Sequence, residues 1–443
     1  MVLCFGGALT IALPWSFLDL MAAPELRSSS PLQTLWFASL AVLSFLILIR
    51  WCVIQCLAFQ ADFRMSRERV KDPLVWPSVS ILVPAYQEAQ NIESALRSLM
   101  ELDYPSYDVI VVDDGSSDAT FDKAQKFSGS FGRGTVRVLR KENGGKWSAL
   151  NLAFQHARGD LILCIDADSR LSWDALKVLV RHMSDPRIVA ACGQVTVRNR
   201  VNLLTNLQAL EYVISNGGLR TAQSQLGSVL VVPGPIGLYR RSILKQIAER
   251  AGKTAESLGP GESAGPMSDE TFAEDFQLSL TALALDGRIV YEPRAIAYTR
   301  APDKVLQLIN QRYRWLRGSM QVLDIYRTKL RALSSASTRK RLDAILNGLY
   351  VVDIYLLPLI SFLVLIGFLI TIAGAEQLGT VLLWVMSIWL LNLMSATYYI
   401  LSQDDDLSLL MVVPALDLYQ WLLINSAWMV AAFDQLRKSK MRW

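Results

Sequence analysis

The chain has 443 residues, of which 52% are hydrophobic and only 19% charged, with 12 Trp; this length leaves room for roughly two or three domains, and this balance excludes an ordinary soluble protein and implies a membrane component. Its 44 basic and 40 acidic residues leave a formal charge of +4, too small for a nucleic-acid footprint, so no nucleic-acid partner is expected.

In chain order, the apolar stretch Val2 to Ala23 carries Pro14 and Asp19 and has no basic region before it, so it reads as a first membrane helix rather than a cleaved signal peptide. Leu35 to Phe59, interrupted only by Arg50 and Gln55, is long enough to cross a hydrocarbon core. Residues 1–60 are therefore expected to form N-terminal transmembrane helices. Residues 61–302 are polar enough to fold in water, 303–345 are expected to form amphipathic interfacial helices, and 346–443 return to the membrane. In that last region the candidate spans are Leu349 to Ala373, Val381 to Leu401 and Leu409 to Phe433, the last broken by Pro414 and Asp417. Both junctions of the polar middle are basic, with Arg64, Arg67, Arg69 and Lys71 on one side and Arg327, Lys329, Arg331, Arg339, Lys340 and Arg341 on the other. The positive-inside rule places that middle in the cytosol of a protein integral to the inner membrane. Three full crossings would then carry the basic tail outside, so one late segment is expected to be re-entrant or interfacial.

Within the soluble part, short β-branched runs at 78–83, 108–112, 135–139 and 160–165 alternate with helix-period stretches such as AQNIESALRSLMEL, SDATFDKAQKF and KWSALNLAFQHA. This alternation predicts βαβ units on a mostly parallel sheet. The Gly-, Ser- and Pro-rich stretch Gly252 to Ser268 reads as a mobile loop.

Five cysteines, mostly inside apolar runs, give neither a disulfide framework nor a zinc spacing, and His156 and His182 are the whole histidine supply. Carboxylates must carry any acid–base chemistry. Parallel sheets bind ligands beyond the carboxyl ends of their strands, and two such ends are acidic: Asp113-Asp114-Gly115-Ser116-Ser117 and Asp166-Ala167-Asp168-Ser169. A single Asp there as readily caps a helix or makes a turn. The Asp166/Asp168 pair asks more, because neighbouring like charges raise each other's pKa unless a cation neutralises them. Hard oxygen ligands suit Mg2+ or Mn2+, which complete their shell with water and phosphates. Asn143-Gly144-Gly145-Lys146 opens a helix and offers N–H groups and an ammonium to an anion. It is not a Walker A loop, since Arg140 and Trp147 stand where that motif needs Gly and Ser or Thr. Glu274-Asp275 precedes QLSLTALAL, either as acids favouring a helix start or as a general base for a hydroxyl. Gln311-Arg312-Tyr313-Arg314-Trp315 lies in a stretch from Asp303 to Tyr326 that reads as a basic amphipathic helix at the membrane surface, with Trp315 able to stack on a sugar and Arg314 to meet a diphosphate.

Taken in that order and between apolar ends, these motifs resemble the processive family 2 glycosyltransferases, the group of poly-N-acetylglucosamine, hyaluronan, chitin-oligosaccharide and cellulose synthases. The resemblance covers about Pro77 to Gly318. It implies an α/β GT-A fold with a Rossmann-like mixed sheet inserted between α-helical transmembrane segments, a UDP-sugar donor, inversion to a β-linkage, and a channel that carries the growing polysaccharide through the lipid bilayer, and it leaves room for a small membrane partner subunit. Residue by residue, it implies Pro84, Tyr86 and Glu88 as the opening nucleotide-binding turn, Asp114 with its neighbour Asp113 at the uridine, Lys146 at the diphosphate, and Asp166 and Asp168 as the UDP and metal carboxylates. Asp275, beside Glu274, is implied as the base, Gln311 and Arg314 as contacts of the leaving UDP, and Trp315 as the acceptor platform. Gly234-Pro235 with Tyr239, Arg240 and Arg241 resembles the acceptor-side loop. Trp147 departs from the small residue many relatives carry there, and no regulatory domain follows the last apolar segment, which speaks against a cellulose synthase with a cyclic-dinucleotide sensor. In size and in the run from Gln208 to Leu244 the chain looks most like bacterial poly-β-1,6-N-acetylglucosamine synthases. A non-processive transferase acting on a lipid or short acceptor, or a hyaluronan, chitin or glucan synthase, is the alternative within the family. A transporter or nucleotide sensor is the alternative outside it, against which the lack of internal symmetry speaks.

Overall fold

The computed structural model describes residues 31–67, 72–252, 264–356, 358–359, 361–362 and 378–439. The Val2–Ala23 segment, the bulk of the 252–268 stretch, residues 363–373 of the Leu349–Ala373 segment and the last four residues lie outside the described residues.

The four predicted strands form as β1 (Val79–Ala85), β2 (Tyr107–Asp113), β4 (Gly134–Arg140) and β5 (Leu161–Cys164), with β3 (Gly129–Phe131) on the edge. β1 pairs parallel with both β2 and β5, and β2 with β4, so that Ala85, Asp113 and Arg140 end level with one another. Val79, Ile81 and Val83 enter the core on one face and Leu82 on the other. A strand covered on both faces needs an unbroken apolar run, which is why these segments read so clearly. The predicted helices form at Ile92–Met100, Thr120–Gln125 and Lys146–His156.

The other half of the sheet departs from the expected mostly parallel order. β6 (Arg170–Leu171), β7 (Ile188–Val197), β8 (Gly237–Arg240) and β9 (Arg288–Thr299) complete a nine-stranded sheet in the order β3-β4-β2-β1-β5-β8-β7-β9-β6. β8 runs antiparallel to both β5 and β7, and β6 antiparallel to β9, so the sheet is mixed. Because β8 is reversed beside β5, with Gly237 opposite Cys164, the loop that enters β8 lies against the acidic loop that leaves β5.

The described end of the Gly252–Ser268 stretch is not a mobile loop. Ala264 to Met267 are buried, and the Asn151 side chain donates to the Met267 carbonyl and accepts from its N–H. The segment is irregular, as its composition suggests, but two hydrogen bonds with the Asn151 side-chain amide and the Met267 side chain anchor this end on the helix Lys146–His156.

The Leu35–Phe59 run lies within the helix Pro31–Arg67, whose length at 1.5 Å per residue is about 55 Å. Val381–Leu401 lies within the helix Leu378–Ser402. Among the described residues one helical run, Leu407–Leu436, is long and apolar enough to cross a membrane. Pro414 does not break that run, because it sits in the first turn of Val413–Tyr419, where the missing N–H has no helical partner to lose. Asp417 is held by the Asn392 amide at 2.9 Å.

The amphipathic stretch also differs from its reading. The helix Val305–Thr328 keeps Arg314 and Arg327 exposed but buries Arg312 and Arg317, both 3% exposed. Arg312 meets Glu211 at 2.6 Å, and Arg317 donates to the Tyr313 hydroxyl and the Ser439 carbonyl. Charge pattern alone cannot reveal such partners, of which Glu211 and Ser439 lie more than a hundred residues away in the chain.

Candidate active site

The carboxyl ends of β1, β2 and β5, the loop entering β8 and the start of the helix Glu274–Ala284 meet in one cleft. Lys146, the first residue of its helix, stands at the centre. Its Nζ lies 2.8 Å from Asp166 Oδ1 and 3.3 Å from Glu274 Oε1. Burial alone would lower the pKa of this ammonium, but Asp166, Glu274 and Asp275 together hold it well above the ordinary lysine value. Two acidic motifs more than a hundred residues apart therefore share one cation.

Asp275 is pushed up to about 6, first by burial and then by the charge of Glu274, with Lys146 pulling the other way. Its Oδ1 accepts the Phe276 N–H at 2.7 Å. It lines a small cavity with Lys146, Asp166, Glu274, Gly234 and Pro84, floored by Cys164, Val232 and Tyr239. A carboxylate in such a setting sits in the range a general base needs near neutral pH.

Asp168 is also raised, by burial and then by Asp166, although the Ser169 hydroxyl donates to it at 2.9 Å. Glu88 is raised by burial, with Asp168 and Asp166 adding to the shift beyond the Asn91 amide that donates to it. Negative charge in excess of its local compensation is what a divalent cation would relieve. Among the described residues no three His, Cys, Asp or Glu side chains close around a point as a metal-holding group. The Asp166/Asp168 pair thus fits an ion that takes one or two carboxylates and finds its other ligands on water and phosphate, as Mg2+ and Mn2+ do.

Asp113 and Asp114 are buried, at 0% and 3% exposure. Both oxygens of Asp114 are engaged: Oδ1 accepts from Lys141 Nζ at 2.8 Å and the Gly144 N–H at 3.0 Å, and Oδ2 from the Gly145 N–H at 2.8 Å. Asp114 therefore ties down the turn that presents Lys146, and Gly115, at φ +75°, packs where a Cβ would come within 2.7 Å of the Asn143 nitrogen. Asp113 Oδ2 meets Arg140 Nε at 3.2 Å, while its Oδ1 has no hydrogen-bond partner among the described residues. Pro84 lines the cavity, and Tyr86 beside it is 50% exposed.

Gly234 faces the central pair directly. A Cβ there would lie 2.7 Å from Lys146 Nζ and 2.9 Å from Asp166 Oδ2. Pro235 is half-buried in the same loop. Arg240 and Arg241 are not in the cleft: Arg240 donates to the carbonyls of Ile188, Met183 and Asp185, and Arg241 to that of Arg158, at the opposite end of the strands. Tyr239 lies beneath the cavity and is 2% exposed. Trp147, the departure from the family pattern, packs half-buried against the core.

The helix Val305–Thr328 docks beside the Asp275 element through Gly318, where a Cβ would meet Ala273 at 2.7 Å and where Thr271 donates to the Gly318 carbonyl. One turn earlier lie Arg314, exposed, and Trp315, 44% exposed. Gln311 is half-buried, and its Oε1 has no hydrogen-bond partner among the described residues. Three side chains escaped the sequence reading. Lys141 holds Asp114, and its place two residues before Asn143 was the available signal. Arg198, whose guanidinium reaches the Asn91 side chain at 2.8 Å and faces Asp168 and Glu88, follows β7, a strand that was not foreseen. Glu211 pairs with Arg312 across 101 residues.

Residues 80–248 match the family model described as glycosyl transferase family 2. The chain is 28% identical over 291 residues to a poly-beta-1,6-N-acetyl-D-glucosamine synthase of Staphylococcus epidermidis, covering 65% of each chain. It is 33% identical over 294 residues to an N-acetylglucosaminyltransferase of Neorhizobium galegae, covering 66% of each. The match thus spans just under two thirds of these relatives' length. Among solved structures, a mannosyltransferase of Pyrobaculum calidifontis in complex with GDP-Man and Mn2+ superposes with a TM-score of 0.59 at 19% identity, covering 91% of this chain and 100% of the other. That likeness is one of fold, the mixed α/β sheet of GT-A type.

Proposed function

We infer that this chain, which carries a glycosyl transferase family 2 domain over residues 80–248, is a membrane-embedded, processive, inverting β-glycosyltransferase that polymerises N-acetylglucosamine from a UDP-sugar and passes the polysaccharide across the bilayer. The observation that carries the reading is Lys146 held between Asp166 and Glu274 beside the raised carboxyl of Asp275. Donor-side and base-side acids converge there on one cation. The choice of N-acetylglucosamine, and of a β-1,6 polymer, rests on the names of the relatives.

In this reading Asp275 accepts the proton of the acceptor hydroxyl as its oxygen bonds to the anomeric carbon. The bond from that carbon to the diphosphate oxygen breaks with its electrons, and UDP departs against Lys146, Arg314 and Gln311. Asp166 and Asp168 would hold Mg2+ or Mn2+, which supplies positive charge to the leaving diphosphate. Trp315 offers its open face to the acceptor sugar, and Glu88, Pro84, Tyr86 and Asp113 border the nucleotide. Membrane embedding is supported by the helix Pro31–Arg67, which exposes Leu35, Val42, Phe45, Ile49 and Val53 along its length, and by the run Leu407–Leu436. A water-soluble protein would not leave such a stripe bare.

The purified full chain in lipid nanodiscs, given UDP-N-acetylglucosamine with Mg2+ or Mn2+, is expected to release UDP and make a polymer cut by a β-1,6-specific hexosaminidase. Chelation should stop both, and restoring the metal should recover them. No UDP release from any UDP-sugar would refute the transferase reading, and single-sugar products would refute processivity.

Gly234→Ala provides a finer test, because its methyl group would displace Lys146 or Asp166 without disturbing the core. Weakening one charge-assisted contact is expected to cost about tenfold in UDP affinity by calorimetry, with thermal stability within a few degrees of wild type.

A further inference from the structure

We propose that Glu211, Arg312 and Tyr419 form a positioning cluster that fixes the Trp315 ring for the acceptor sugar and ties it to the apolar C-terminal helices. The inference rests on the reading of Trp315 as the acceptor platform. Arg312 and Trp315 are three residues apart on one helix and so share a face. The Arg312 guanidinium lies 4.4 Å from the Trp315 ring centroid, close enough for a cation–π contact. Arg312 is 3% exposed and Trp315 is 44% exposed, so the ring is supported from within and open outward.

What holds the guanidinium there is the Glu211 carboxylate, with a longer bond from Nη2 to the Tyr419 hydroxyl at 3.4 Å. Arg312 donates through Nη2 to Glu211 Oε2 at 2.6 Å, and the Tyr419 hydroxyl donates to the same oxygen at 2.7 Å. Among the described residues Nε and Nη1 of Arg312 make no hydrogen bond, and the Tyr212 ring centroid lies 5.9 Å from the guanidinium. Glu211 sits on the helix Leu203–Ile214, whose start is fixed by a reciprocal cap between Asn202 and Thr205. Tyr419 ends the helix Val413–Tyr419 inside the run Leu407–Leu436. A buried ion pair of this kind does little for stability that apolar side chains could not do. What arginine adds is a flat cation that stacks under an indole, a geometry lysine does not reproduce. The cluster thereby makes the pose of Trp315 depend on one helix of the polar middle, Leu203–Ile214, and one of the apolar C-terminal region, Val413–Tyr419.

The test uses the full chain in nanodiscs. Arg312→Lys and Glu211→Gln are each expected to raise the KM for a short N-acetylglucosamine oligomer about tenfold and to shorten the polymer, with UDP affinity within about twofold of wild type. Adding Arg312→Lys to Trp315→Ala should change nothing further, since the ring it supports is gone. Should single charge removal leave the protein unfolded, the double variant Glu211→Gln with Arg312→Met removes both charges and is expected to show the same KM and length defects. A folded Arg312→Lys enzyme with wild-type acceptor KM and product length would overturn the proposal, as would defects fully additive with Trp315→Ala. If the wild type itself releases no UDP, the transferase reading fails and this inference falls with it; an active wild type beside an unaffected Arg312→Lys variant sinks this inference alone.

Discussion

Asp275→Asn is expected to lower polymer synthesis by about 10²- to 10⁴-fold, the range a positioned general base contributes, while the dissociation constant for UDP stays close to that of wild type. The carboxyl of Asp275 is raised to about 6 by burial and by Glu274, and a base must be ionised to act. In the wild type the rate should therefore be flat above pH 7 and fall about tenfold per unit below pH 6. The same shift carries a stability consequence of definite sign. The folded-state pKa lies above the ordinary aspartate value of about 3.9, so the folded protein holds this proton more tightly than the unfolded chain. Any favourable contribution is present at low pH and is lost as pH rises through about 6, leaving the ionised native state at a cost of at most about 3 kcal/mol. Asparagine removes that cost. Asp275→Asn should unfold at a higher temperature than wild type at pH 7.5, with the difference vanishing near pH 4. A variant that loses UDP binding, or one less stable than wild type at pH 7.5, would contradict the role assigned to Asp275.

The half of the sheet that builds the surroundings of Asp275 was the harder half to read. β1, β2 and β5 announce themselves because each is a largely apolar run ending in a turn signal and buried on both faces, while β4, toward the sheet edge and mostly uncovered, shows through its Val136-Arg137-Val138 alternation. β8 spans only Gly237–Arg240 and β6 only two residues, and β9 contains Pro293 beside a register shift in its pairing with β7. Such strands owe their existence to neighbours far away in the chain, which local pattern does not encode. The site residues divide the same way. Asp166, Asp168, Lys146 and Asp275 were visible because each stands at a strand or helix end in a spacing with chemical meaning. That Lys146 touches both Asp166 and Glu274 is a product of the reversed β8 and the packing of the helix Glu274–Ala284, neither of which periodicity reveals. Asp114 was legible as a site residue, but its commitment to the Gly144 and Gly145 N–H groups was not, because a buried Asp after a strand looks the same in sequence whether it holds a loop or a ligand.

Lys146→Met removes the cation on which the whole constellation is centred. A charge pair about 4 Å apart is worth about 4 kcal/mol at an effective dielectric of 20, and roughly half of that survives screening by solvent at a partly exposed side chain. Lys146 is 38% exposed and Asp166 29%, so kcat/KM is expected to fall about 30-fold, most of it through weaker UDP binding. Two further effects separate this from a simple loss of contact. Lys146 draws the Asp275 pKa down against burial and Glu274, so without it the acid limb of the rate profile should move to higher pH than in wild type. Asp166 and Glu274 would also face each other and Asp275 without their shared counter-charge, so the variant should be less stable than wild type at pH 7.5 and regain stability as acid protonates the carboxylates. Lys146→Arg keeps the charge but forks it, and should recover the position of the acid limb more fully than the affinity for UDP. If Lys146→Met binds UDP as wild type does and its acid limb stays in place, the lysine is a helix start and the acids converge for some other reason.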